Sequence, residues 1–255
     1  MKIQPDQIRG VLAIPYANYN GYQPKLDLYL PTAKTKPLPC IVFIHGGGWG
    51  VHKRCWMEGY AKFAAREGFA AATIDYRLLP AVTPLECTHD AKAAVRFIRA
   101  NAAKFGIDPD RIGACGDSAG AQLAAILATS ADAPGLEGNG GNTGVSSRIQ
   151  AAVGLATPAL TGRRTWPIAN NLPIPDWFDK ISPYRHAGAG DAPMMFLHGM
   201  NDGLVSPDEP KDLMAKLEKS GVPCEIEFVP DAGHVFYMSE ATAMKVINYF
   251  KSKLK

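Results

Sequence analysis

Gly116-Asp117-Ser118-Ala119-Gly120 has the form G-x-S-x-G, and its flanking residues decide how the chain is interpreted. Ile112, Ala114 and Cys115 before it predict a short buried strand, and residues 122–127 after it predict a helix. The serine is therefore expected on a sharp turn between a strand and a helix. Such a turn holds its central residue in an unfavourable backbone conformation and needs small neighbours, which this motif supplies.

Strand and helix patterns alternate around this turn from residue 40 to the end of the chain. Continuous apolar runs, typical of strands buried on both faces of a parallel sheet, lie at 40–44, 69–74, 149–156 and 194–198, and a further strand is expected at 225–229. Helical periodicity is found at 60–67, 87–105, 207–220 and 240–254.

The first thirty residues have a different pattern. Residues 7–14 and 25–30 roughly alternate polar and apolar side chains, which predicts two antiparallel strands half exposed at a sheet edge. Together these patterns predict a single α/β domain over 1–255, with about eight mainly parallel strands and helices on both faces. Its crossover connections are expected to be right-handed.

Composition excludes several classes of function. The 255 residues carry a formal net charge of +3 with no basic block, so neither nucleic acid nor an anionic membrane is expected as a partner. No apolar run approaches the ~18 residues of a membrane span. The N-terminus lacks the apolar core of a signal peptide, which favours a cytoplasmic location by default, although a mature secreted chain would look the same.

Five cysteines at irregular spacing predict neither a metal site nor a disulfide framework. Cys40, Cys115 and Cys224 lie in or beside strand patterns and are expected to be buried free thiols. Cys55 and Cys87 fall in loop or helix-start regions, and a disulfide between them is an open alternative to two free thiols.

Two long segments are rich in turn-forming residues. Residues 131–147 contain Gly138-Asn139-Gly140-Gly141, but no Gly-Lys-Ser/Thr follows, so a surface loop is expected rather than a phosphate loop. Residues 157–192 are irregular, and a loop of this length predicts a small lid or a pocket wall. Four aromatic residues are candidates either for substrate binding or for the core. Trp166, Trp177 and Phe178 lie in this segment, and Trp49 follows Gly46-Gly47-Gly48.

A serine nucleophile needs a base, and the base needs an orienting group. In parallel sheets catalytic residues gather beyond the carboxyl ends of the strands. His234 directly follows the last predicted strand and is the best candidate base. Asp202 follows the preceding strand and is the candidate acid, with Asp208 and Glu209 as alternatives at the start of a helix. The chain order Ser118, Asp202, His234 is the order expected of this architecture.

His45-Gly46-Gly47-Gly48 follows a buried strand and can supply backbone N–H donors to a developing oxyanion. Gly47 and Gly48 are the candidate donors, together with Ala119 after the nucleophile. His45 is expected to fix the loop by hydrogen bonding rather than to react.

With these residues in place, the chain resembles the α/β-hydrolase fold, and more narrowly the hormone-sensitive-lipase-like esterases and the related bacterial feruloyl and acetylxylan esterases. The matching segments lie at 27–31, 45–49, 75–78, 90–102 and 116–120 and in the loops of Asp202 and His234. Asp75, Asp90 and Asp117 also match, and we expect them to hold loops. Lipase-like members carry a long N-terminal cap, whereas only two short strands are expected here, which favours an open site.

The resemblance implies a serine carboxylesterase acting on short-chain or carbohydrate-linked (acetyl- or feruloyl-type) esters, with no metal or cofactor. The expected partner is a small or saccharide-linked ester, and the sequence makes no prediction of oligomeric state. Two alternatives remain open. One is amide or peptide hydrolysis, of arylformamidase or peptidase type, on the same triad. The other is a non-catalytic receptor for a small ligand, which would be expected to have lost a triad residue.

Overall fold

One sheet of eight strands organises the chain. The structure is a computed structural model, and it describes residues 7–33, 36–131, 133–160 and 176–255. The strands are β1 (Ile8–Pro15), β2 (Lys25–Pro31), β3 (Leu38–Ile44), β4 (Ala70–Ile74), β5 (Ile107–Asp117), β6 (Ala151–Leu155), β7 (Met194–Gly199) and β8 (Cys224–Val229). Across the sheet they run β1-β2-β4-β3-β5-β6-β7-β8. Both pairings of β2 are antiparallel and all others are parallel.

Helices cover both faces of this sheet. They are α1 (Glu58–Arg66), α2 (Pro84–Ala100), α3 (Ala102–Phe105), α4 (Ala119–Thr129), α5 (Pro183–His186), α6 (Asp208–Lys219) and α7 (Glu240–Leu254), with a 3-10 helix at Arg54–Met57. The alternation of side chains along β3 divides the core. Val42 and Ile44 pack in the cluster that includes α2 and α4, whereas Ile41 and Phe43 pack in the cluster that includes α1 and α7. The predicted mainly parallel sheet with helices on both faces is thereby confirmed.

The prediction that both N-terminal strands are half exposed is wrong for the second. β1 forms the exposed edge of the sheet, but all of β2 after Lys25 is buried. The reason is its position, since β2 lies between β1 and β4 and both of its edges are hydrogen-bonded.

The single helix expected at 87–105 is divided and begins earlier. Thr83 starts it with a capping box in which the Glu86 carboxylate accepts from the Thr83 backbone N–H at 2.8 Å. Pro84 occupies the first turn, where a missing N–H costs nothing. The helix ends at Ala100 with Asn101 as its C-cap, and the short α3 that follows is closed by Gly106 in the left-handed region, with φ of 68°.

The described residues of 131–147 form a loop without helix or strand, and most of them are exposed or half-buried, which agrees with the expected surface loop. The loop lies over α2 and brings Glu137 to two buried cations, the Nζ of Lys92 and the Nη1 of Arg96, each 2.8 Å from a carboxylate oxygen. Buried charges require an opposite charge within reach. The loop therefore supplies, through Glu137, the negative charge that allows Lys92 and Arg96 of α2 to be buried.

The two alternatives for Cys55 and Cys87 are resolved in favour of free thiols, and Cys55 is exposed whereas Cys87 is buried. Cys40 and Cys115 are buried as expected, and Cys224 is partly exposed. Among the described residues, no helix combines the length and apolar character required to cross a membrane.

Candidate active site

Four chain segments meet at the carboxyl edge of the parallel strands. Ser118 follows β5, the glycine-rich turn from His45 follows β3, Asp202 follows β7 and His234 follows β8. Since these strands are neighbours in the order β3-β5-β6-β7-β8, their ends converge on the nucleophile from both sides.

The nucleophile turn is as tight as the motif predicts. Ser118 has φ of 49° and ψ of −118°, outside the usual regions for a residue with a side chain. A Cβ added to Gly116 would lie 2.2 Å from the carbonyl oxygen of Gly120, and one added to Gly120 would lie 2.1 Å from that of Ile44. Both glycines are therefore required by close backbone contact, which presents the serine at the start of α4.

His234 links the serine to the acid. Its Nε2 lies 2.9 Å from Ser118 Oγ, and its Nδ1 lies 2.7 Å from Asp202 Oδ2. A carboxylate only accepts, so Nδ1 carries the proton and Nε2 is left to accept from the serine hydroxyl. This is the tautomer that a general base needs.

Asp202 is held as an anion. Its Oδ1 accepts from the backbone N–H groups of Leu204 and Val205, each at 2.9 Å. Burial by itself raises the pKa of this carboxyl, but hydrogen bonds from His198, His234 and the two backbone groups outweigh it and hold the pKa well below its ordinary value. Of the two alternative acids, Asp208 is half exposed and pairs with Lys211, and Glu209 is buried.

In the glycine-rich turn, one backbone N–H holds the turn in place and those of Gly47 and Gly48 are the predicted oxyanion donors. The N–H of Gly46 donates to Asp117 Oδ1 at 2.9 Å, so this amide is occupied. Gly47 and Gly48 have φ of 97° and 59°, a backbone region that glycine adopts readily. Ala119 is the first residue of α4, whose N-terminus carries partial positive charge. The role of Gly47, Gly48 and Ala119 as oxyanion donors stays a prediction.

Asp117 connects three of the catalytic segments. Besides Gly46, it accepts from Trp56 Nε1 at 3.2 Å and from the Tyr237 hydroxyl at 2.9 Å. Burial raises the pKa of Asp117 above its ordinary value, and these three hydrogen bonds oppose the rise. One buried carboxylate beside the nucleophile therefore holds the glycine-rich turn and the loop of His234 in place.

The sequence pattern assigned Asp117 a structural role but gave no sign of its partners Trp56 and Tyr237, which lie 61 and 120 residues away. Asp75 and Asp90 also hold loops, through Arg54 and Arg77 respectively. These two ion pairs agree with the expectation for both acids.

His45 anchors the glycine-rich turn through a contact with Gly46 and a stacked ring. Its Nδ1 lies 2.8 Å from the Gly46 carbonyl oxygen, and its ring stacks on Tyr76 with centroids 4.2 Å apart. Burial lowers the pKa of His45 to about 4, so the ring is neutral at pH 7. These contacts agree with an anchoring role rather than a reactive one.

The aromatic candidates occupy different environments. Trp49 donates through Nε1 to Gln122, 3.1 Å away, and Gln122 donates in turn to the carbonyl of Ile181 at 2.7 Å. This chain of contacts ties the glycine-rich turn to the segment after residue 176. Phe178 is 2% exposed and packs with Leu160 and Ile181, as the core alternative expects, whereas Trp177 is partly exposed. Trp166 lies outside the described residues.

Among the described residues, no group of three or more His, Cys, Asp or Glu side chains could hold a metal ion. The side chains aligned with Ser118 are His234 and Asp202, an arrangement of hydroxyl, imidazole and carboxylate that can carry out acyl transfer.

A family model described as BD-FAE matches residues 26–217, well over half of the chain. The chain belongs to the BD-FAE family. The resemblance to α/β-hydrolases of the hormone-sensitive-lipase-like esterase group is thereby confirmed, since the matched segment carries the glycine-rich turn, the serine motif and Asp202.

Similar proteins include plant and bacterial members. Probable isoprenylcysteine alpha-carbonyl methylesterase ICMEL1 of Oryza sativa subsp. japonica is 39% identical over 107 residues, 41% of this chain and 25% of the relative. Isoprenylcysteine alpha-carbonyl methylesterase ICME of Arabidopsis thaliana is 28% identical over 230 residues, 81% of this chain and 53% of the relative. The chain thus spans from a quarter to about half of the length of these relatives.

Among solved structures, Thermogutta terrifontis esterase 2 phosphoramylated by tabun superimposes with a TM-score of 0.82 at 28% sequence identity. The match covers 95% of this chain and 92% of the esterase. The α/β-hydrolase fold predicted from the sequence is thereby confirmed.

Proposed function

We propose that this protein is a serine carboxylesterase that uses Ser118 as nucleophile, His234 as general base and Asp202 as the acid that orients the base. The observation that carries the proposal is the position of the His234 ring, whose two nitrogens lie 2.9 Å from Ser118 Oγ and 2.7 Å from Asp202 Oδ2. A hydroxyl is a poor nucleophile unless a base within hydrogen-bond distance accepts its proton.

The first half of the proposed reaction acylates the enzyme. Ser118 Oγ attacks the ester carbonyl carbon while its proton moves to His234 Nε2, and the carbonyl oxygen becomes an oxyanion. The backbone N–H groups of Gly47, Gly48 and Ala119 are proposed to stabilise this oxyanion, with about 3–4 kcal/mol of transition-state stabilisation per donor. When the bond to the alcohol oxygen breaks, the alcohol leaves with the proton from Nε2.

The second half regenerates the serine. A water molecule loses a proton to His234 Nε2 and attacks the acyl carbon, the oxyanion forms again on the same donors, and Ser118 leaves with the proton as the free acid is released. Asp202 remains ionised throughout and stabilises the imidazolium in both steps. The lowered pKa of its carboxyl suits this role, because an acid that is hard to protonate does not take the proton from the ring.

The proposed substrates are short-chain or carbohydrate-linked esters of acetyl or feruloyl type, as the resemblance to feruloyl and acetylxylan esterases implies. The fixed position of Trp49 supports a defined wall beside the glycine-rich turn, because Gln122 holds the indole and is itself held by the Ile181 carbonyl. Trp177 is proposed as a second wall residue, and Trp166 and Phe178 keep the status of sequence predictions.

A substrate panel tests the activity and its range together. It contains p-nitrophenyl esters from acetyl to octanoyl, acetylated xylan, methyl ferulate and an anilide of the preferred acyl group. Hydrolysis of the acetyl ester by the wild-type protein, with loss in Ser118→Ala, is expected. Faster turnover of the anilide than of the matched ester would replace this proposal with an amide hydrolase, and no turnover with no covalent labelling would favour a receptor.

A further inference from the structure

His198 is a second histidine on the proposed catalytic acid. It lies in β7, four residues before Asp202, and both side chains are fully buried. Its Nε2 lies 3.2 Å from Asp202 Oδ2, the oxygen that His234 also contacts, and 2.9 Å from the carbonyl oxygen of Val205. The sequence pattern placed this histidine at a strand end and assigned it no role.

The surroundings of the ring fix its tautomer. Nε2 faces two oxygens that can only accept, a carboxylate and a carbonyl, so this nitrogen must carry the proton. Nδ1 is buried and has no hydrogen-bond partner among the described residues. A proton there would be an unsatisfied buried donor, which is unfavourable. The contacts of the ring therefore place a hydrogen of His198 on Nε2.

The carboxylate is held from both sides. Oδ1 accepts from the backbone N–H groups of Leu204 and Val205, and Oδ2 accepts from His234 Nδ1. The single Nε2–H of His198 is shared between the Val205 carbonyl at 2.9 Å and Asp202 Oδ2 at 3.2 Å. Val205 completes a small ring of contacts, because its N–H donates to Asp202 while its carbonyl accepts from His198. Rotation of the carboxylate would break at least two of these bonds at once.

We propose that His198 is a positioning residue: its Nε2–H fixes Oδ2 of Asp202 in the direction of His234 Nδ1 and so keeps the base aligned with the serine. In the described part of the chain no hydrogen bond joins His198 to His234 or to Ser118, so its effect on the reaction passes through Asp202. The inference rests on the proposed function, since it assigns a task within the same triad.

Two variants of His198 separate positioning from packing. His198→Leu fills the space without a donor, and His198→Gln places a neutral N–H donor where Nε2 stands. We expect kcat for p-nitrophenyl acetate to fall about 10- to 100-fold in His198→Leu, the factor that corresponds to one hydrogen bond to a charged group, with KM unchanged. His198→Gln should recover most of kcat. Equal losses in the two variants, or a loss of stability with kcat unchanged, would overturn the proposal.

A measurement on the wild-type protein covers the case in which the leucine variant does not fold. Nitrogen NMR of histidine-labelled protein should show a proton on Nε2 of His198. A ring without a proton on Nε2 would overturn the proposal. Labelling of Ser118 by a fluorophosphonate is measured in parallel, because absence of that label would contradict the proposed function, whereas the tautomer reports on His198 alone.

Discussion

Replacement of Asp202 by asparagine separates the orientation of the base from the shape of the site. The substitution keeps the size of the side chain and exchanges one acceptor oxygen for an NH2 group. At the Oδ1 position this group would face the backbone N–H groups of Leu204 and Val205, which cannot change their protonation. At the Oδ2 position it would face His234, whose ring can change tautomer, and one fixed donor, the Nε2–H of His198, which also has the Val205 carbonyl as acceptor. The Oδ1 position thus has two fixed donors and the Oδ2 position only one.

The second orientation is therefore favoured, and it inverts the base. Nδ1 of His234 would accept from the amide, Nε2 would carry the hydrogen, and Ser118 would have no group to receive its proton. A triad with the wrong tautomer loses about 10⁴ in kcat, which is about 5 kcal/mol of transition-state stabilisation. Burst kinetics with p-nitrophenyl acetate should show acylation slowed by this factor, with KM little changed.

The matched control is Asp208→Asn, which alters the other aspartate considered for this role. Asp208 lies at the start of α6, is half exposed and pairs with Lys211, so its replacement should leave kcat within about twofold because surface pairs contribute little. If Asp202→Asn stays folded and keeps kcat within tenfold of the wild type, the tautomer argument is refuted.

Three further outcomes follow from the contacts around the site. Tyr237→Phe removes a donor from the buried Asp117 and should lower the free energy of unfolding by about 1.5–3 kcal/mol in urea, and an unchanged midpoint would contradict this. Gly120→Ala should prevent folding, because its Cβ would lie 2.1 Å from a carbonyl oxygen, whereas Gly59→Ala in α1 meets open space and should fold normally. Folding lowers the pKa of Asp202, so its ionised carboxylate stabilises the folded protein. This stabilisation is complete at a pH above the ordinary carboxyl pKa of 3.8, and it is lost as the pH falls from there towards the lowered pKa. Below pH 3.8 the unfolding free energy of Asp202→Asn should thus depend less on pH than that of the wild type.

Local patterns predicted those parts of the fold that depend on near neighbours in sequence. The continuous apolar run of β3 and the serine motif identified a buried parallel strand and a strand-to-helix turn, because both signals lie within about ten residues. The helix at 240–254 was predicted with its observed bounds for the same reason. The candidate triad also followed from local order, since each residue lies in the loop directly after a strand.

The remaining features depend on contacts between distant residues. β2 has the alternation of an edge strand, and only its pairing with β4 makes it an interior strand. Lys92 and Arg96 have the composition of a solvent-exposed helix face, and they are buried because Glu137 arrives from a loop about forty residues later. The contacts of Asp117 with Trp56 and Tyr237 could not be predicted, because no sequence motif or periodicity relates these residues.

Covalent labelling of Ser118 tests the proposed chemistry most directly. The folded wild-type protein is treated with a fluorophosphonate, its intact mass is measured and the modified peptide is sequenced. One adduct per chain on the peptide that contains Ser118 is expected, with no adduct and less than a few per cent of p-nitrophenyl acetate hydrolysis in Ser118→Ala. An adduct on a different residue, or an alanine variant that remains active, would contradict the account.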